Sequence, residues 1–371
     1  MLQLPLRSAF WRNHRVIPYP PTPSGLYRGL SLGELCGCCG GYLAARLRRR
    51  QPATDARSWF TARYGHRFYD VLLRGYLQKL WGDDGSGIDQ TFLSGVVGTV
   101  SRVAGSTSSG QVFAYPRSGL SAAWRRLSDR VAAHGSLHRG ATVDRVVVGP
   151  CGVAGLVVDG REWPCDVVIS TAPVSSLLRA LKHTPAHVRD APASLGTRHL
   201  VVAHVLVDSP WSLDHAWVFV DDPRLGIGRV SDSRFWNNER GRRRGILTLE
   251  YWCGDGDSIW TDTDSGIAAR AADELRQSEV LPDAIVRAVN VTRLPGALPL
   301  PRRGYLQHRE VIAAHLRTIR GLFAVGRHGS FEFDSTLHSM GGGITAARLA
   351  ITQLTAGTST LCDPAPAAPP V

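Results

Sequence analysis

The 371-residue sequence predicts a mixed α/β (α+β) fold, and three features of the chain support this prediction. Apolar residues recur at helical spacing over residues 26–84. Valine-rich runs of strand length, bounded by glycine and proline, follow an amphipathic helix within residues 120–173. Apolar segments separated by turn residues then fill residues 198–252, as in an antiparallel sheet. The first two features predict a layered unit of helices and strands, and the third predicts a sheet domain beside it.

The N-terminal part of the chain is predicted to be mainly helical. Residues 1–25 are expected to form a strand or extended arm that ends in the proline-rich run PYPPTP. Residues 26–105 contain two helical patterns, LGELCGCCGGYLAARLRR and DARSWFTARYGHRFYDVLLRGYLQKLWG. Asp55 precedes the second pattern as a predicted N-cap, and Gly82 follows it as a predicted stop. We therefore expect the second helix to run between these two residues.

The remaining ranges combine helices and strands. Residues 106–185 contain a Tyr-Pro-Arg-x-Gly turn, an amphipathic helix and three strands, found in SLHRGATVDRVVV, VAGLVVDG and CDVVISTAP. Residues 186–305 hold the antiparallel sheet, a helix and a proline-interrupted extended segment. Residues 306–356 end in a strand and a glycine-containing helix. Residues 357–371 are predicted to be a disordered tail, because their composition is rich in proline and alanine.

The charge pattern favours a small anionic ligand over nucleic acid. The formal net charge is +12, but only Lys79 and Lys182 are lysines, so arginine supplies nearly all the positive charge. The densest arginine runs, RLRRR and GRRRG, lie far apart and lack the interleaved aromatic residues of a single-strand binding platform. We therefore expect no nucleic-acid partner and expect arginines to serve an anionic substrate or cofactor.

No membrane span and no metal site is predicted. No stretch approaches the ~20 continuous apolar residues of a spanning helix, and the N-terminus lacks the apolar core of a signal peptide. We expect a cytoplasmic protein without a transmembrane segment, and contact with a membrane surface stays open as an alternative. The run CGCC and the pair His328 and His338 lack a second ligand set at metal-binding spacing.

The segment from Gly321 to Ala350, GLFAVGRHGSFEFDSTLHSMGGGITAARLA, gives the clearest sign of a ligand site. It predicts an apolar strand, a polar loop and a helix that opens at the three glycines Gly341–Gly343. Free backbone N–H groups at such a helix start favour a flavin or a pyrophosphate. A tight turn that packs the helix on a sheet is the alternative. GGGITA matches G-x-G-x-x-A, but the chain ends about one helix later, so the βαβ dinucleotide motif is not formed.

Four stretches, in the same order, resemble a superfamily of FAD-dependent enzymes. The C-terminal strand, loop and glycine helix are similar to its C-terminal flavin motif, and FYDVLLRGYLQKLWG is similar to its helix ending in Tyr-x-x-Lys-x-Trp-Gly. YPRSGLSAAWRRLSDRVAAHG resembles its Tyr-Pro-Lys-x-Gly-Met turn and helix, and CDVVISTAP resembles the strand that closes its FAD-binding sheet. The superfamily contains the amine oxidases, protoporphyrinogen oxidases and UDP-galactopyranose mutases. The resemblance spans most of residues 10–355.

The resemblance implies FAD as the cofactor and indicates which residues contact it. The residues implied for FAD are Val143, Thr171, Ala172, Pro173, Gly326, Arg327, Gly342, Gly343 and Ile344. The residues implied for the substrate cleft are Tyr76, Lys79, Trp81 and Arg117. Residues 26–105 would lie on the substrate side, residues 106–185 and 306–356 would bind FAD, and residues 186–305 would form the substrate domain. No catalytic residue is assigned, because in such enzymes the cofactor carries the hard chemistry.

The chain departs from the superfamily at its start. Members open with a strand, G-x-G-x-x-G, a helix and a second strand that ends in an acidic residue, and this sequence has no such segment. The resemblance therefore implies an incomplete Rossmann-like FAD-binding domain, an antiparallel-sheet substrate domain and a helical insertion. We expect either that the chain is truncated or that a separate polypeptide supplies the missing segment.

Three functions are compatible with these expectations. The leading one is an FAD-dependent oxidoreductase of the amine oxidase and protoporphyrinogen oxidase type, in which a hydride passes from a small-molecule substrate to the flavin. The second is a sugar-nucleotide mutase of the UDP-galactopyranose mutase type, in which the reduced flavin acts as a nucleophile and arginines hold the diphosphate. The third is a remnant or partner subunit without catalysis of its own, so whether this chain alone is an enzyme stays open.

Overall fold

The structure is a computed structural model that describes residues 1–5, 7–48, 52–93 and 112–356. Its strands, in chain order, are β1 (Leu2–Pro5), β2 (Ser8–Arg12), β3 (Arg15–Tyr19), β4 (Val112–Tyr115), β5 (Val143–Gly149), β6 (Gly152–Val158), β7 (Arg161–Pro164), β8 (Val168–Ser170), β9 (Gly196–Asp208), β10 (Trp217–Val220), β11 (Arg229–Asp232), β12 (Arg244–Cys253), β13 (Ile285–Leu300) and β14 (Leu322–Ala324). Its helices are α1 (Pro23–Gly29), α2 (Leu32–Leu47), α3 (Ala56–Tyr64), α4 (His66–Leu72), α5 (Arg74–Trp81), α6 (Leu120–His134), α7 (Val174–Ala180), α8 (Ala186–Asp190), α9 (Ser233–Trp236), α10 (Ser258–Thr261), α11 (Asp264–Ser278), α12 (Tyr305–Arg317), α13 (Gly326–Gly329) and α14 (Thr336–Ala356).

The chain divides into two compact units, each built from two separate segments. Unit 1 comprises Met1–Leu137 and Thr197–Arg303, and unit 2 comprises His138–Gly196 and the residues from Gly304 onward. Helix α6, which the sequence grouped with the FAD-binding portion, therefore clusters with unit 1. The predicted tail, residues 357–371, lies outside the described residues.

A seven-stranded sheet in the order β13-β9-β12-β11-β10-β2-β3 forms the centre of unit 1. Strands β9 to β12 pair antiparallel, which confirms the sheet predicted over residues 198–252. Strands β2 and β3 form a hairpin whose turn residues, Asn13 and His14, have positive φ values of 48° and 58°. Such values at both turn positions fit the strand twist of a two-residue hairpin. The N-terminal arm is therefore part of the sheet.

The helix predicted between Asp55 and Gly82 is three helices in the structure, α3, α4 and α5. Both predicted ends are confirmed, because the Asp55 carboxylate accepts the Ser58 N–H at 2.7 Å and Gly82 has a left-handed φ of 69°. The first break is at Gly65, whose φ is 87°. A Cβ atom there would lie 2.5 Å from the Gly41 carbonyl oxygen, so the chain turns where α2 packs closely against it.

A fully buried ion pair fixes one end of the unit 1 sheet. Arg234 is 1 % exposed and Asp232 is 0 % exposed, and their side chains meet at 2.8 Å and 3.0 Å. The Arg234 Nη1 also donates to the carbonyl oxygens of Arg242 and Arg243, at 3.3 Å and 3.2 Å. Asp232 accepts the Leu213 N–H at 3.1 Å, so the pair joins two loops to β11.

Unit 2 contains a three-stranded antiparallel sheet, β5-β6-β7, and a parallel pair, β14-β8. Its core consists of apolar residues of α7, α8, α12 and the two sheets, including Leu177, Val188, Leu316 and Leu322. The fold class is thus the predicted one, with antiparallel sheets and many helices. Among the described residues, no helix is long and apolar enough to cross a membrane.

Candidate functional site

The carboxyl ends of β8 and β14 lie at the same edge of unit 2. The two strands are parallel neighbours, with Val168 opposite Leu322 and Ser170 opposite Ala324. The predicted residues Thr171–Pro173 follow β8 directly, and the predicted residue Gly326 follows β14. Ligands of open α/β sheets bind at this end of parallel strands. The fold therefore brings two of the predicted FAD segments together.

Two glycines make this edge compact. Gly326 has a φ of 77°, a conformation that favours glycine. A Cβ atom at Gly329 would lie 3.0 Å from the Ser170 carbonyl oxygen and 3.7 Å from that of Ala172. The short helix α13 is thus pressed against the chain that leaves β8, and the backbone at the strand ends is closely packed.

Arg327 is held by the loop between α13 and α14. Its Nη2 donates to the Asp334 carbonyl oxygen at 2.6 Å, and its Nε lies 3.7 Å from the Asp334 carboxylate. The Ser339 hydroxyl donates to the same carboxylate at 2.8 Å. The charge of Arg327 is therefore partly balanced inside the protein, while about a third of its side chain remains exposed at 33 %.

The glycine helix begins earlier than the sequence predicts. Helix α14 starts at Thr336, where the Ser335 carbonyl oxygen accepts the Ser339 N–H at 3.0 Å. Gly341–Gly343 lie in the second turn and beyond, so their N–H groups are committed to the helix. The expectation that they open the helix with free N–H groups is wrong. The helix begins earlier because Ser335 and Asp334 form local hydrogen bonds with the first turn.

The three glycines nevertheless leave a bare strip of backbone on α14. Cβ atoms built on Gly341 and Gly343 meet no atom within 4 Å, and one on Gly342 meets only Val325, at 4.0 Å. Glycine inside a helix costs about 1 kcal/mol relative to alanine. No neighbour among the described residues therefore explains this glycine run. A Cβ atom on Gly342 would lie 4.0 Å from Val325, which follows β14, and one on Gly326 would lie 4.0 Å from Ser339 of α14. The bare strip therefore lies beside the strand ends.

The structure does not bring every residue predicted for FAD or for the substrate cleft to this edge. Ile344 follows the glycines on α14 with its side chain 55 % exposed. Val143 is the first residue of β5 and belongs to the three-stranded sheet of unit 2. Arg117 lies in an exposed turn of unit 1 before α6. The assignments of Ile344 and Val143 to FAD and of Arg117 to the substrate cleft stay predictions.

A cavity of about 450 Å³ lies in unit 2 beside β14. Helix α12 contributes Ala313 and Leu316 to its lining, and α14 contributes Ala346 and Leu349. The four consecutive residues 322–325 form a further wall. Strand β14 pairs along one edge only, with β8, within the described part of the chain. The cavity is therefore a largely apolar space between two helices and next to a strand with one unpaired edge.

In unit 1, the predicted substrate residue Lys79 is mainly buried. Its ammonium group donates to the carbonyl oxygens of Val220 and Ile227, each at 2.7 Å. Burial lowers the pKa of Lys79 to about 8, although Asp221 and Glu274 nearby oppose the shift. Lys79 thus joins α5 to the loop between β10 and β11, and its contact with substrate stays a prediction.

The lowered pKa of Lys79 predicts a pH dependence of stability. The unfolded chain keeps this proton to higher pH than the native chain. The free energy of unfolding therefore increases as the pH rises above about 8. We expect Lys79 to raise the free energy of unfolding by ~1 kcal/mol per pH unit up to pH ~9.5, above which tyrosines begin to ionise. Urea unfolding of Lys79→Met against the parent at several pH values isolates the contribution of Lys79. Burial raises the pKa of the Cys38 and Cys253 thiols, which oppose the gain in both proteins alike.

The control for this measurement is Lys182→Met, which removes the only other lysine of the sequence from an exposed position. It should leave the pH profile of the parent unchanged. If Lys79→Met and the parent had parallel profiles between pH 8 and 9.5, the buried ammonium would not titrate in this range.

Tyr76 and Trp81 occupy different environments. Tyr76 is partly buried, and its ring meets those of Phe219 and Trp252 with centroids 5.2 Å and 5.9 Å apart. Burial raises the pKa of Tyr76, so the phenol remains a hydrogen-bond donor at neutral pH. Trp81 is 2 % exposed and belongs to the helical core, which is the setting of a structural residue.

A polar row on the unit 1 sheet was not predicted. The register places Phe219, Arg229 and Glu250 side by side on β10, β11 and β12. Arg229 donates to both oxygens of Glu250 at 2.7 Å, and its guanidinium lies 5.7 Å from the centre of the Trp217 ring. Tyr76 contacts Phe219 at the end of this row. The sequence signal was the alternation of polar and apolar residues in GIGRVSDS and GILTLEYWC.

A family profile and several solved structures are similar to the chain. The profile of the family described as flavin containing amine oxidoreductase matches residues 46–350. No curated protein matched the chain.

The solved structures share the fold at low sequence identity. Reduced UDP-galactopyranose mutase is 16 % identical with a TM-score of 0.78, and the match covers 95 % of this chain and 78 % of that one. A protein assigned as a protoporphyrinogen oxidase from Exiguobacterium sp. 255-15 is 14 % identical with a TM-score of 0.69, covering 95 % and 82 %. Cyclohexylamine oxidase from Brevibacterium oxydans IH-35A is 14 % identical with a TM-score of 0.60, covering 96 % and 82 %.

Proposed function

Because this chain belongs to the family of flavin containing amine oxidoreductases, we propose that it is an FAD-dependent oxidoreductase whose unit 2 forms one side of the cofactor site. The observation that carries the proposal is the bare glycine strip Gly341–Gly343. Three helical glycines forgo about 1 kcal/mol each, and no described neighbour needs the space. A planar ring or a pyrophosphate that approaches the helix backbone would need it.

The other residues at the strand ends fit the same ligand. Thr171–Pro173 and Gly326 present backbone at the carboxyl ends of two parallel strands, where α/β sheets bind nucleotides. Arg327 offers a partly exposed guanidinium whose charge, only partly balanced by Asp334, attracts an anionic phosphate group. Gly342 and Gly343 leave their backbone open to close approach. A bound flavin would supply the hydride-accepting chemistry, and these residues would bind and orient it.

The polar row of unit 1 supports an oxidoreductase over a mutase. A sugar-nucleotide mutase needs arginines that are free to hold a diphosphate. Arg229, the arginine of this row, is already paired with both oxygens of Glu250, so little of its positive charge is left for a phosphate. The rings of Tyr76 and Trp217 beside it suit an organic substrate with an aromatic or apolar part. The mutase remains the second candidate because UDP-galactopyranose mutase has the same fold.

We further propose that a segment from outside this sequence completes unit 2. Among the residues that the structure describes, β14 has one unpaired edge, and the 450 Å³ cavity lies next to it. Along α14, Leu337, Ile344 and Ile351 recur every seven residues and are 79 %, 55 % and 61 % exposed. An open strand edge and an exposed apolar helix stripe are both places where another strand and helix can pack. The superfamily opens with such a strand and helix, joined by G-x-G-x-x-G, and these would be the elements that pack here.

The test is a fusion protein. We expect the chain alone to bind FAD more weakly than ~1 µM, or less than ~8 kcal/mol of binding free energy, and to aggregate readily. Fusion of the opening strand, G-x-G-x-x-G, helix and second strand of a family member before Met1 should give a monodisperse yellow protein. The same fusion with the three motif glycines changed to aspartate is the matched control. Anaerobic addition of amines should bleach the flavin of an oxidoreductase, whereas a mutase would show no net oxidation of its substrate.

Two results would contradict this proposal. A fusion that folds but never binds flavin would show that unit 2 is not part of an FAD site. Stoichiometric FAD binding by the chain alone would show that no further segment is required.

A further inference from the structure

Helix α2 exposes an apolar face that the proposed flavin site does not use. Leu32, Leu43 and Leu47 are 71 %, 62 % and 89 % exposed. With the exposed free cysteines Cys36 and Cys39 they form one stripe, since these positions recur at helical spacing. The rest of the exposed side of α2 consists of glycine and alanine, with one arginine at its end. We call this stripe the α2 face. It contains no carboxylate.

The opposite side of α2 is anchored in unit 1. Cys38 and Ala45 are buried, and α2 packs against α3 and α4. Glu34, the acidic residue of the helix, is turned inward, where its carboxylate accepts from Ser31 N–H at 2.9 Å and from Arg12 at 3.3 Å. The helix is therefore fixed in orientation, and its apolar face points outward without help from a partner.

Exposed arginines surround the α2 face. Arg28 ends α1 just before α2, Arg46 and Arg48 end α2, and the Arg67 side chain lies beside Gly37. In the part of the chain that the structure describes, none of these four arginines forms an ion pair. An apolar stripe bordered by exposed arginines that form no ion pair with the described residues complements a surface that is apolar inside and anionic outside.

We propose that the α2 face binds the surface of an anionic lipid bilayer, with its leucines in the acyl boundary and the arginines at the headgroups. Each such arginine contributes about 1 kcal/mol near an anionic membrane, and the leucines add apolar burial. The 16 residues of α2 give a contact about 24 Å long. A second copy of the chain is a poorer occupant, because facing copies would bring these arginines against one another.

The test uses the full chain and two kinds of vesicle. We expect it to float in a density gradient with phosphatidylcholine vesicles that contain phosphatidylserine, and much less with phosphatidylcholine alone, whereas aggregated chain would stay at the bottom. Leu43→Asp should abolish binding, and Arg46→Ala with Arg48→Ala should weaken it about tenfold or more. An environment-sensitive dye on Cys36 should shift to shorter emission wavelength and be quenched by brominated lipid.

Matched controls change the same chemistry elsewhere on the surface. Ile285→Asp places a charge at another exposed apolar residue, and Arg242→Ala with Arg243→Ala removes two arginines of an exposed loop. Both controls should bind anionic vesicles as the parent does, and circular dichroism should show every variant folded. Three results would overturn the proposal: no binding to anionic vesicles, binding that Leu43→Asp leaves unchanged, or a dimer in solution that Leu43→Asp dissociates.

Discussion

Replacing Arg234 with alanine is expected to cost about 3–5 kcal/mol of unfolding free energy, which is a large part of the stability of an ordinary domain. The substitution leaves the Asp232 carboxylate buried at 0 % exposure without its partner. It also removes the donor that holds the carbonyl oxygens of Arg242 and Arg243. Buried polar groups that lose a partner carry the full cost of their removal from water. We expect little soluble protein at 37 °C.

Urea unfolding followed by circular dichroism measures this effect. Arg244→Ala is the control, because Arg244 pairs with Asp208 at 3.0 Å but is 69 % exposed. An exposed pair contributes about 0–1 kcal/mol, so the control should be nearly as stable as the parent. Similar losses for Arg234→Ala and Arg244→Ala would show that burial of the first pair does not decide its energetic role.

Gly343→Asp, made in the fusion protein that carries the opening segment, is expected to lower FAD affinity on the order of 100-fold or more. The aspartate adds a Cβ and a carboxylate to a strip that is now bare backbone. The side chain would prevent close approach of the ring or pyrophosphate, and its charge would repel the phosphates. Quenching of flavin fluorescence on titration measures the loss. Arg243→Ala in the exposed loop before β12 should leave the affinity unchanged.

Gly343→Ala separates the cofactor role from a packing role. Alanine should stabilise α14 by about 1 kcal/mol, since no described atom lies within 4 Å of the added Cβ. The same variant should bind FAD more weakly than the parent fusion. A gain in stability with a loss of affinity indicates a surface kept bare for a ligand. If both Gly343 variants bound FAD as the parent does, the glycine run would have no part in the site.

Much of the architecture was predictable because it depends on local patterns. The alternation in residues 198–252 predicted β9 to β12, and the caps Asp55 and Gly82 were predicted by their chemistry. The breaks within residues 55–82 were not predicted. The break at Gly65 is caused by the close approach of α2, a helix that lies outside the local pattern of residues 55–82. The pairing of β2 with β10 was also beyond prediction, since register between distant strands depends on tertiary packing.

The candidate site was predictable in part. Motif resemblance placed Thr171–Pro173 and Gly326 in separate segments, and the parallel pairing of β8 with β14 brings these segments to one edge. The start of α14 was misplaced because local hydrogen bonds of Ser335 and Asp334 begin the helix before the three glycines, despite the low helix propensity of glycine. The Arg229 and Glu250 pair could not be found from spacing alone, because a cross-strand partner depends on register.

The interleaved segments of the two units set the order in which the protein can fold on the ribosome. Strand β8 ends at Ser170 and its partner β14 begins at Leu322, so roughly 150 further residues must be synthesised before the two can pair. At ~5–20 residues per second this delay is on the order of ten seconds. Strands β9 to β12 emerge within this interval and can form their own antiparallel pairs. Within the described residues β14 is the only strand partner of β8. Nascent β8 therefore stays unpaired during this interval, when it is most exposed to chaperones and to misassembly.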